Sequence, residues 1–218
     1  MTRPSYVPAD YKRIKVVSSL SELFNTSFGG PDGVNCILFP RKLTGNFNAL
    51  VNHLNEVVSI EDQMECGSKL LEGLKIIAAT GNEDSVAAQN ILNDIRVVGG
   101  MGAVPYFRMI RPEDKNYDGQ RFFHEDRIGT EKDIVARGLI LSCYTMPVTE
   151  YLRDGDSHRI NEIFHHAWDA AKILRFVPGD MWRHAGSYEE GISVVPPFIH
   201  RAPHQHNDKM PRLLLVGI

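Results

Sequence analysis

The stretch RFFHEDR, residues 121–127, reads as a β-strand that carries an imidazole and a carboxylate two residues apart. Side chains alternate between the two faces of a strand, so His124 and Asp126 are expected to project in the same direction. Two ligand types on one face of a rigid strand can hold one metal ion. The pattern therefore predicts a metal site on this strand, provided that another part of the chain supplies a third ligand.

A third ligand is available late in the chain, in the stretch PFIHRAP at residues 197–203. His200 ends an apolar extended run there and is the preferred candidate. His204 and His206 follow in the same loop and remain alternatives, since His-x-His is itself a spacing found in metal sites. Two imidazoles and one carboxylate form the facial triad typical of non-haem Fe(II) oxygenases, which leaves coordination positions open for substrate chemistry.

Each of these residues also has a simpler interpretation. His124 and Asp126 are flanked by Arg121, Glu125 and Arg127, as they would be on a solvated strand held by surface ion pairs. The histidines of the late loop would face water if that loop were only polar. The metal interpretation is favoured because the ligands occur together as an ordered set, and not because any one pair is distinctive.

The composition is that of an ordinary globular domain. The chain has 218 residues, of which 43% are hydrophobic and 23% are charged, with a formal net charge of −3. Such a chain can bury one sizeable core. The sequence has no long Lys/Arg run, no apolar run near the roughly 20 residues that cross a bilayer, and no apolar signal core at its start. Three widely spaced cysteines favour reduced thiols. We therefore expect a cytoplasmic protein without nucleic-acid or membrane partners.

Residues 1–103 read as a helical support segment. The predicted elements are a short helix at 19–24, a strand at 34–39 and three helices that begin near Asn46, Ser59 and Glu83. Asn46 is a good N-cap, and the first of these three helices has apolar residues recurring at helical spacing. The helices are expected to cover one face of a sheet.

From residue 104 onward the pattern favours strands. They are predicted at 104–110, 120–126, 134–144, 149–152, 192–200 and 212–216. One helix, residues 157–175, interrupts them because apolar residues from Ile160 to Leu174 follow helical spacing behind the cap Ser157. Short strands punctuated by Gly and Pro favour a jelly roll. The predicted fold is α+β, a single domain 1–218 in which a double-stranded β-helix of residues 104–218 is braced by N-terminal helices.

The order of these residues resembles the 2-oxoglutarate- and Fe(II)-dependent oxygenase superfamily over roughly residues 104–218. The family motif is His-x-Asp on one strand, a distal His much later, and a basic residue about ten positions beyond it. Here it reads His124-Glu125-Asp126, His200 and Arg212. The resemblance implies that His124, Asp126 and His200 bind Fe(II), and that Arg212 binds the far carboxylate of 2-oxoglutarate.

The chain departs from the family pattern in two places. Many members carry Ser or Thr two residues after the basic residue, where this chain has Leu214. The segment between Leu152 and Pro178 is predicted to hold a helix longer than the usual connection. Either departure would suit an altered co-substrate site or a loss of activity.

Further residues are candidates for lining the pocket. Arg137 and Tyr144 are the first candidates for contacting the co-substrate, and Tyr106 and Arg108 come after them. Alternation along 134–144 puts Arg137 and Tyr144 on opposite faces of that strand, and the sequence does not say which face is inward. For each of these residues, an exposed or structural side chain is the simpler interpretation.

The sequence thus supports three hypotheses. The first is an Fe(II)/2-oxoglutarate-dependent dioxygenase, an oxidoreductase that hydroxylates a small molecule or an amino acid with dioxygen. The second is a cupin-like metalloprotein that works without 2-oxoglutarate, as a dioxygenase, isomerase or metal-binding protein. The third is a non-catalytic scaffold of the same fold. The substrate and the oligomeric state cannot be read from the sequence.

Overall fold

The structure is a computed structural model, and it describes residues 3–59, 67–111, 121–128, 137–160, 166–188, 195–203 and 210–218. Helices α1–α4 span Leu20–Asn25, Phe47–Val57, Gly67–Ala78 and Glu83–Gly100. Strands β1–β6 span Ile14–Val16, Cys36–Phe39, Pro105–Ile110, Arg127–Ile128, Leu139–Cys143 and Glu150–Tyr151. Strands β7–β13 span Ser157–Arg159, His166–Trp168, Leu174–Arg175, Met181–His184, Ser187–Tyr188, His200–Arg201 and Arg212–Gly217.

The largest sheet has six strands in the order β1-β2-β10-β5-β13-β3. All neighbours are antiparallel except β1 and β2, which run parallel. The predictions of strands near 34–39, 104–110, 134–144 and 212–216 are confirmed by four members of this sheet. Strands β1 and β2 come from the N-terminal part, so the segment predicted as helical support also contributes directly to the sheet.

Helices cover one face of this sheet. Asn46 accepts a hydrogen bond from Ala49 N at 3.0 Å, so the predicted N-cap of α2 is confirmed. Helices α2, α3 and α4 pack on each other, and their apolar residues form one buried cluster with the sheet side chains that face them. On β13 these are Leu213 and Leu215, whereas Leu214 faces the other way, as strand alternation requires.

The opposite face of the large sheet is covered by a three-stranded sheet in the order β12-β6-β9. Trp182, Cys143 and Leu214 of the large sheet share one apolar cluster with Tyr151 and Phe198 from the covering side. We call the side of the large sheet that faces the three-stranded sheet its inner face. The protein is therefore a mixed α+β fold with a helical layer and several antiparallel sheets. Within the described ranges, no helix is long and apolar enough to cross a membrane.

The helix expected over residues 157–175 is wrong. Strand β7 pairs with β8 in register Ser157↔Trp168, and β9 follows after a 3-10 turn. The residues assigned to an apolar helical face include Ile160 and Trp168, which are 58% and 39% exposed. Both are β-branched or aromatic residues, which favour strands as readily as buried helix faces. Residues 161–165 of the expected helix lie outside the described ranges.

The strand expected over residues 120–126 is also wrong as a regular strand. His124 forms a single bridge with His200, and the neighbouring backbone groups bond elsewhere. Phe123 O accepts from His166 N at 3.0 Å, and Asp126 O accepts from Ser187 N at 2.8 Å. A backbone that changes partner every residue or two cannot form a ladder, so regular pairing begins only at β4.

Candidate metal centre

The structure brings together the three residues expected to bind a metal. One donor atom from each of His124, Asp126 and His200 lies within 4.8 Å of the other two. Asp126 Oδ1 is 3.5 Å from His124 Nε2, and Asp126 Oδ2 is 3.3 Å from His200 Nε2. His204 and His206, the alternatives to His200, lie outside the described residues.

Backbone pairing fixes the positions of these ligands. His124 and His200 exchange two hydrogen bonds, of 3.0 and 3.1 Å, so their side chains start from directly opposed positions. His200 also pairs with Tyr151 on its other side, which ties it to the covering sheet. The centre is held from two sides by backbone and is not carried on a free loop.

The ring nitrogens of His124 and His200 are set in one tautomer by the backbone. His124 Nδ1 lies 2.7 Å from Phe122 O, and His200 Nδ1 lies 3.2 Å from Phe198 O. A carbonyl oxygen can only accept, so each Nδ1 carries the proton. In the neutral ring each Nε2 then presents a lone pair, and both Nε2 atoms face Asp126. A hydrogen bond from the far ring nitrogen to a carbonyl is the usual support of a metal-ligating histidine.

In this arrangement the Nε2 lone pairs of the two imidazoles, which are hydrogen-bond acceptors, face a carboxylate, which is also an acceptor. Two imidazole lone pairs and a carboxylate repel one another unless a positive charge lies between them. A proton can serve, and so can a divalent metal ion. The donor set of two nitrogens and one oxygen fits Fe(II) and related transition metals, and it can leave further coordination positions open. The Asp126 side chain is 25% exposed, so the centre is accessible from one side.

The structure adds a fourth residue that the sequence analysis missed. His184 is fully buried at the end of β10, and its Nε2 is 2.8 Å from Asp126 Oδ2. Its ring packs against His200, with ring centroids 4.6 Å apart. One signal was available: His184 lies two residues from Trp182 in a strand, so an inward Trp182 implies an inward His184. The sequence did not link that strand to the triad.

Burial and charge act in opposite directions on these groups. Burial raises the pKa of Asp126, but its contacts with the neighbouring imidazoles outweigh burial and hold that pKa well below its usual range. Burial lowers the pKa of His200 to about 4 in spite of Asp126. Burial also lowers the pKa of His124, but its contacts with Asp126 outweigh burial and raise that pKa overall. In the metal-free protein, His124 therefore takes up a proton more readily than His200 does.

Arg212 lies on the inner face of the large sheet, at the end away from His184 and Asp126. Its Nε donates to Cys143 Sγ at 2.9 Å and its Nη2 donates to Thr149 Oγ1 at 2.6 Å. It is only 3% exposed, and no carboxylate pairs with it among the described residues. The Arg212 side chain contacts Cys143 whereas His184 pairs with Leu139, so the two contacts are separated by four residues of β5. At about 3.3 Å per residue, that separation is about 13 Å.

Tyr144 and Arg137 are not brought to the triad. The Tyr144 hydroxyl donates to Asp94 Oδ2 at 2.7 Å, on the helix-covered face of the large sheet. Arg137 Nη1 donates to Gly102 O at 2.5 Å, just before β5 begins. The contacts of both side chains serve the packing of the sheet, and neither one reaches the residues around Asp126.

An ion pair between Arg201 and Glu150 lies next to the candidate centre. Arg201 Nε donates to Glu150 Oε2 at 2.7 Å, and the Arg201 guanidinium lies over the rings of Phe123 and Trp168, 4.4 and 4.3 Å from their centroids. Arg201 follows His200 and Phe123 precedes His124, so one buried cation links the backbone segments of both candidate ligands.

No family model, curated protein or solved structure matches this chain.

Proposed function

We propose that this protein is a mononuclear metal enzyme, an Fe(II)- and 2-oxoglutarate-dependent oxygenase. The observation that carries the proposal is the contact of Nδ1 with a backbone carbonyl in both His124 and His200, from which it follows that two Nε2 lone pairs face the carboxylate of Asp126. This is the donor set of the non-haem Fe(II) facial triad. A double-stranded β-helix is the finer fold that belongs with this proposal, since the triad lies at one end of the space between two antiparallel sheets.

Arg212 is the residue for the co-substrate. A guanidinium that is buried without a carboxylate partner in the described chain is expected to attract an anion. Its planar fork matches a carboxylate, and Thr149 beside it adds a hydroxyl donor. We assign the far carboxylate of 2-oxoglutarate to Arg212 and Thr149, with the keto acid end directed toward the triad. To accept it, Arg212 exchanges its hydrogen bond with Cys143 for one with the ligand.

The chain's own part in the reaction is binding, orientation and exclusion of water. Iron and 2-oxoglutarate, when bound, supply the activation of dioxygen and the attack on a substrate C–H bond. His124, His200 and Asp126 fix one face of the metal's coordination sphere. The aromatic side chains of Tyr151 and Phe198, together with apolar residues of the inner face, keep the space behind it dry.

The test is an anaerobic titration of the metal-free protein with Fe(II) and then with 2-oxoglutarate, followed by visible absorption. We expect the weak charge-transfer band of the chelate in the wild-type protein. Arg212→Met should weaken 2-oxoglutarate binding about 10- to 100-fold, the loss expected for about 1.5–3 kcal/mol of charge-assisted hydrogen bonding.

Arg183→Met is the matched control for that titration. Arg183 is also a buried arginine without a carboxylate partner in the described chain, but it donates to Phe24 O at 3.1 Å on the helix side of the sheet. The control should keep the band. A band that is indifferent to Arg212 would contradict the assignment of the co-substrate.

A second candidate is a cupin-like metalloprotein that uses no 2-oxoglutarate. Two observations favour it: the hydrogen bonds that Arg212 already makes to Cys143 and Thr149, and the third imidazole, His184, beside Asp126. Metal binding without the chelate band would support this candidate. No metal binding at all would leave a non-catalytic scaffold.

A further inference from the structure

The contacts of His184 assign it a role that the triad alone does not explain. Its Nε2 is 2.8 Å from Asp126 Oδ2, and its Nδ1 is buried with no hydrogen-bond partner among the described residues. A neutral imidazole has one N–H and one lone pair. The N–H must be at Nε2, where the carboxylate can accept it, and the lone pair at Nδ1 is then left unsatisfied. A buried acceptor without a donor costs free energy, so the bond to Asp126 is the contact that this histidine is placed to make.

His184 thereby differs from His124 and His200. Those two rings give their Nδ1 protons to backbone carbonyls and keep Nε2 bare. His184 has no such carbonyl partner, so it presents an N–H where the other two present lone pairs. Within the described part of the chain, the set of donor atoms that lie within 4.8 Å of one another comprises His124, Asp126 and His200, without His184.

We propose that His184 is a positioning residue of the metal centre. It donates Nε2–H to Oδ2 of Asp126 and thereby turns Oδ1 toward the metal, so that the carboxylate binds through one oxygen. The coordination positions that a two-oxygen carboxylate would occupy are then left for exogenous ligands. The inference rests on the proposed metal centre, but it does not depend on the use of 2-oxoglutarate.

The experiment replaces His184 in two ways and uses Co(II) as the probe, because the visible spectrum of Co(II) reports its coordination number. His184→Gln puts an amide N–H at nearly the position of Nε2. His184→Leu fills a similar volume without a donor. Both variants are compared with the wild-type full-length protein for Co(II) affinity and Co(II) spectrum, after circular dichroism has shown that they are folded.

A positioning role predicts different results for the two variants. His184→Leu should lose about 10- to 100-fold in Co(II) affinity, the range seen when the support of a metal ligand is removed. Its visible absorption should fall, because a free carboxylate adds its second oxygen and raises the coordination number. His184→Gln should keep the wild-type spectrum and most of the affinity.

His53→Leu is the control. His53 Nδ1 is likewise 2.7 Å from a carboxylate, Asp84 Oδ2, but it joins α2 to α4 away from the centre. It should leave Co(II) binding unchanged. If both His184 variants change the Co(II) spectrum alike, His184 is itself a ligand and the inference is wrong. If neither changes affinity or spectrum, its contact has no role at the metal and the inference is again wrong. A wild-type protein that binds no Co(II) would instead remove the metal centre, and with it the proposed function.

Discussion

Two largely buried carboxylates, Asp94 and Asp126, lie on opposite sides of the large sheet and are surrounded in opposite ways. Asp94, on the helix side, is met by groups that donate, as far as the described residues show. Arg41 Nη1 and Nη2 reach its two oxygens at 2.6 and 2.5 Å, and the Tyr144 hydroxyl adds a bond of 2.7 Å. Such a site is complete without any ligand, and its evident role is to fasten α4 to the sheet.

Asp126, on the side of the inner face, is met mainly by groups that accept. The fixed tautomers of His124 and His200 leave two lone pairs facing it, and only His184 offers it an N–H in the neutral state. The repulsion between these lone pairs and the carboxylate is relieved only when a proton or a metal ion binds between them. The difference shows that burial of a carboxylate says little about its role, whereas the donor or acceptor character of its neighbours says much.

The largest expected effect is on the free energy of unfolding, which should fall by different amounts when Asp94 and Asp126 are replaced. Asp94→Asn leaves the buried charge of Arg41 uncompensated and should lower the free energy of unfolding by about 3–5 kcal/mol. In the metal-free protein, at a pH above the pKa of His124, Asp126→Asn should cost less than about 1 kcal/mol, because the amide N–H₂ can donate to a lone pair that the carboxylate repels.

Urea denaturation monitored by circular dichroism measures both values, with Asp32→Asn as the control at an exposed carboxylate. Equal losses for Asp94→Asn and Asp126→Asn would mean that Asp126 is an ordinary structural partner. That result would remove the distinction between the two sites.

Periodicity in the sequence was enough to predict much of the fold. The helical layer was predictable because α2 has a clear apolar stripe and an Asn cap and α4 has apolar residues at helical spacing, and β5 and β13 were predictable from their apolar runs. The segment 157–175 was misread because Ile and Trp suit a strand as well as a helix face. Nothing local in the sequence shows that β7 and β8 pair with each other.

The candidate site was predictable only where residues are adjacent or follow a known order. His124, Asp126 and His200 form such a set, and the structure brings them together. His184 was missed because its approach to Asp126 depends on how β10 lies in the large sheet, which is a long-range property. Tyr144 was assigned to the pocket without knowledge of which face is inward, and its partner Asp94 comes from a helix 50 residues earlier.

A smaller effect is expected when pH is varied. The pKa of His124 is raised in the metal-free protein, so a metal ion must displace its proton. Affinity for Co(II) should therefore fall about tenfold for each pH unit below that pKa and level off above it. The proton's contribution to the stability of the metal-free protein has the opposite dependence: it is fully present below about pH 6.5, the unfolded pKa, and is lost as pH rises through the raised pKa.

Titrations with Co(II) between pH 5.5 and 8 would measure this dependence. A dissociation constant that stays constant over this range would show that no proton is held between His124 and Asp126. The imidazole lone pairs would then have to be separated from the carboxylate in solution, and the contrast with Asp94 would be lost.

The central claim is that acceptors facing one another around Asp126 form a metal site. Anaerobic equilibrium dialysis of the metal-free protein against Fe(II), with the bound metal counted per chain, tests it most directly. We expect one ion per chain in the wild-type protein and in Asp94→Asn examined below its unfolding transition, and none in Asp126→Asn or His124→Ala at the same free Fe(II). Retention of iron by the Asp126 and His124 variants, or no iron in the wild-type protein, would contradict the account.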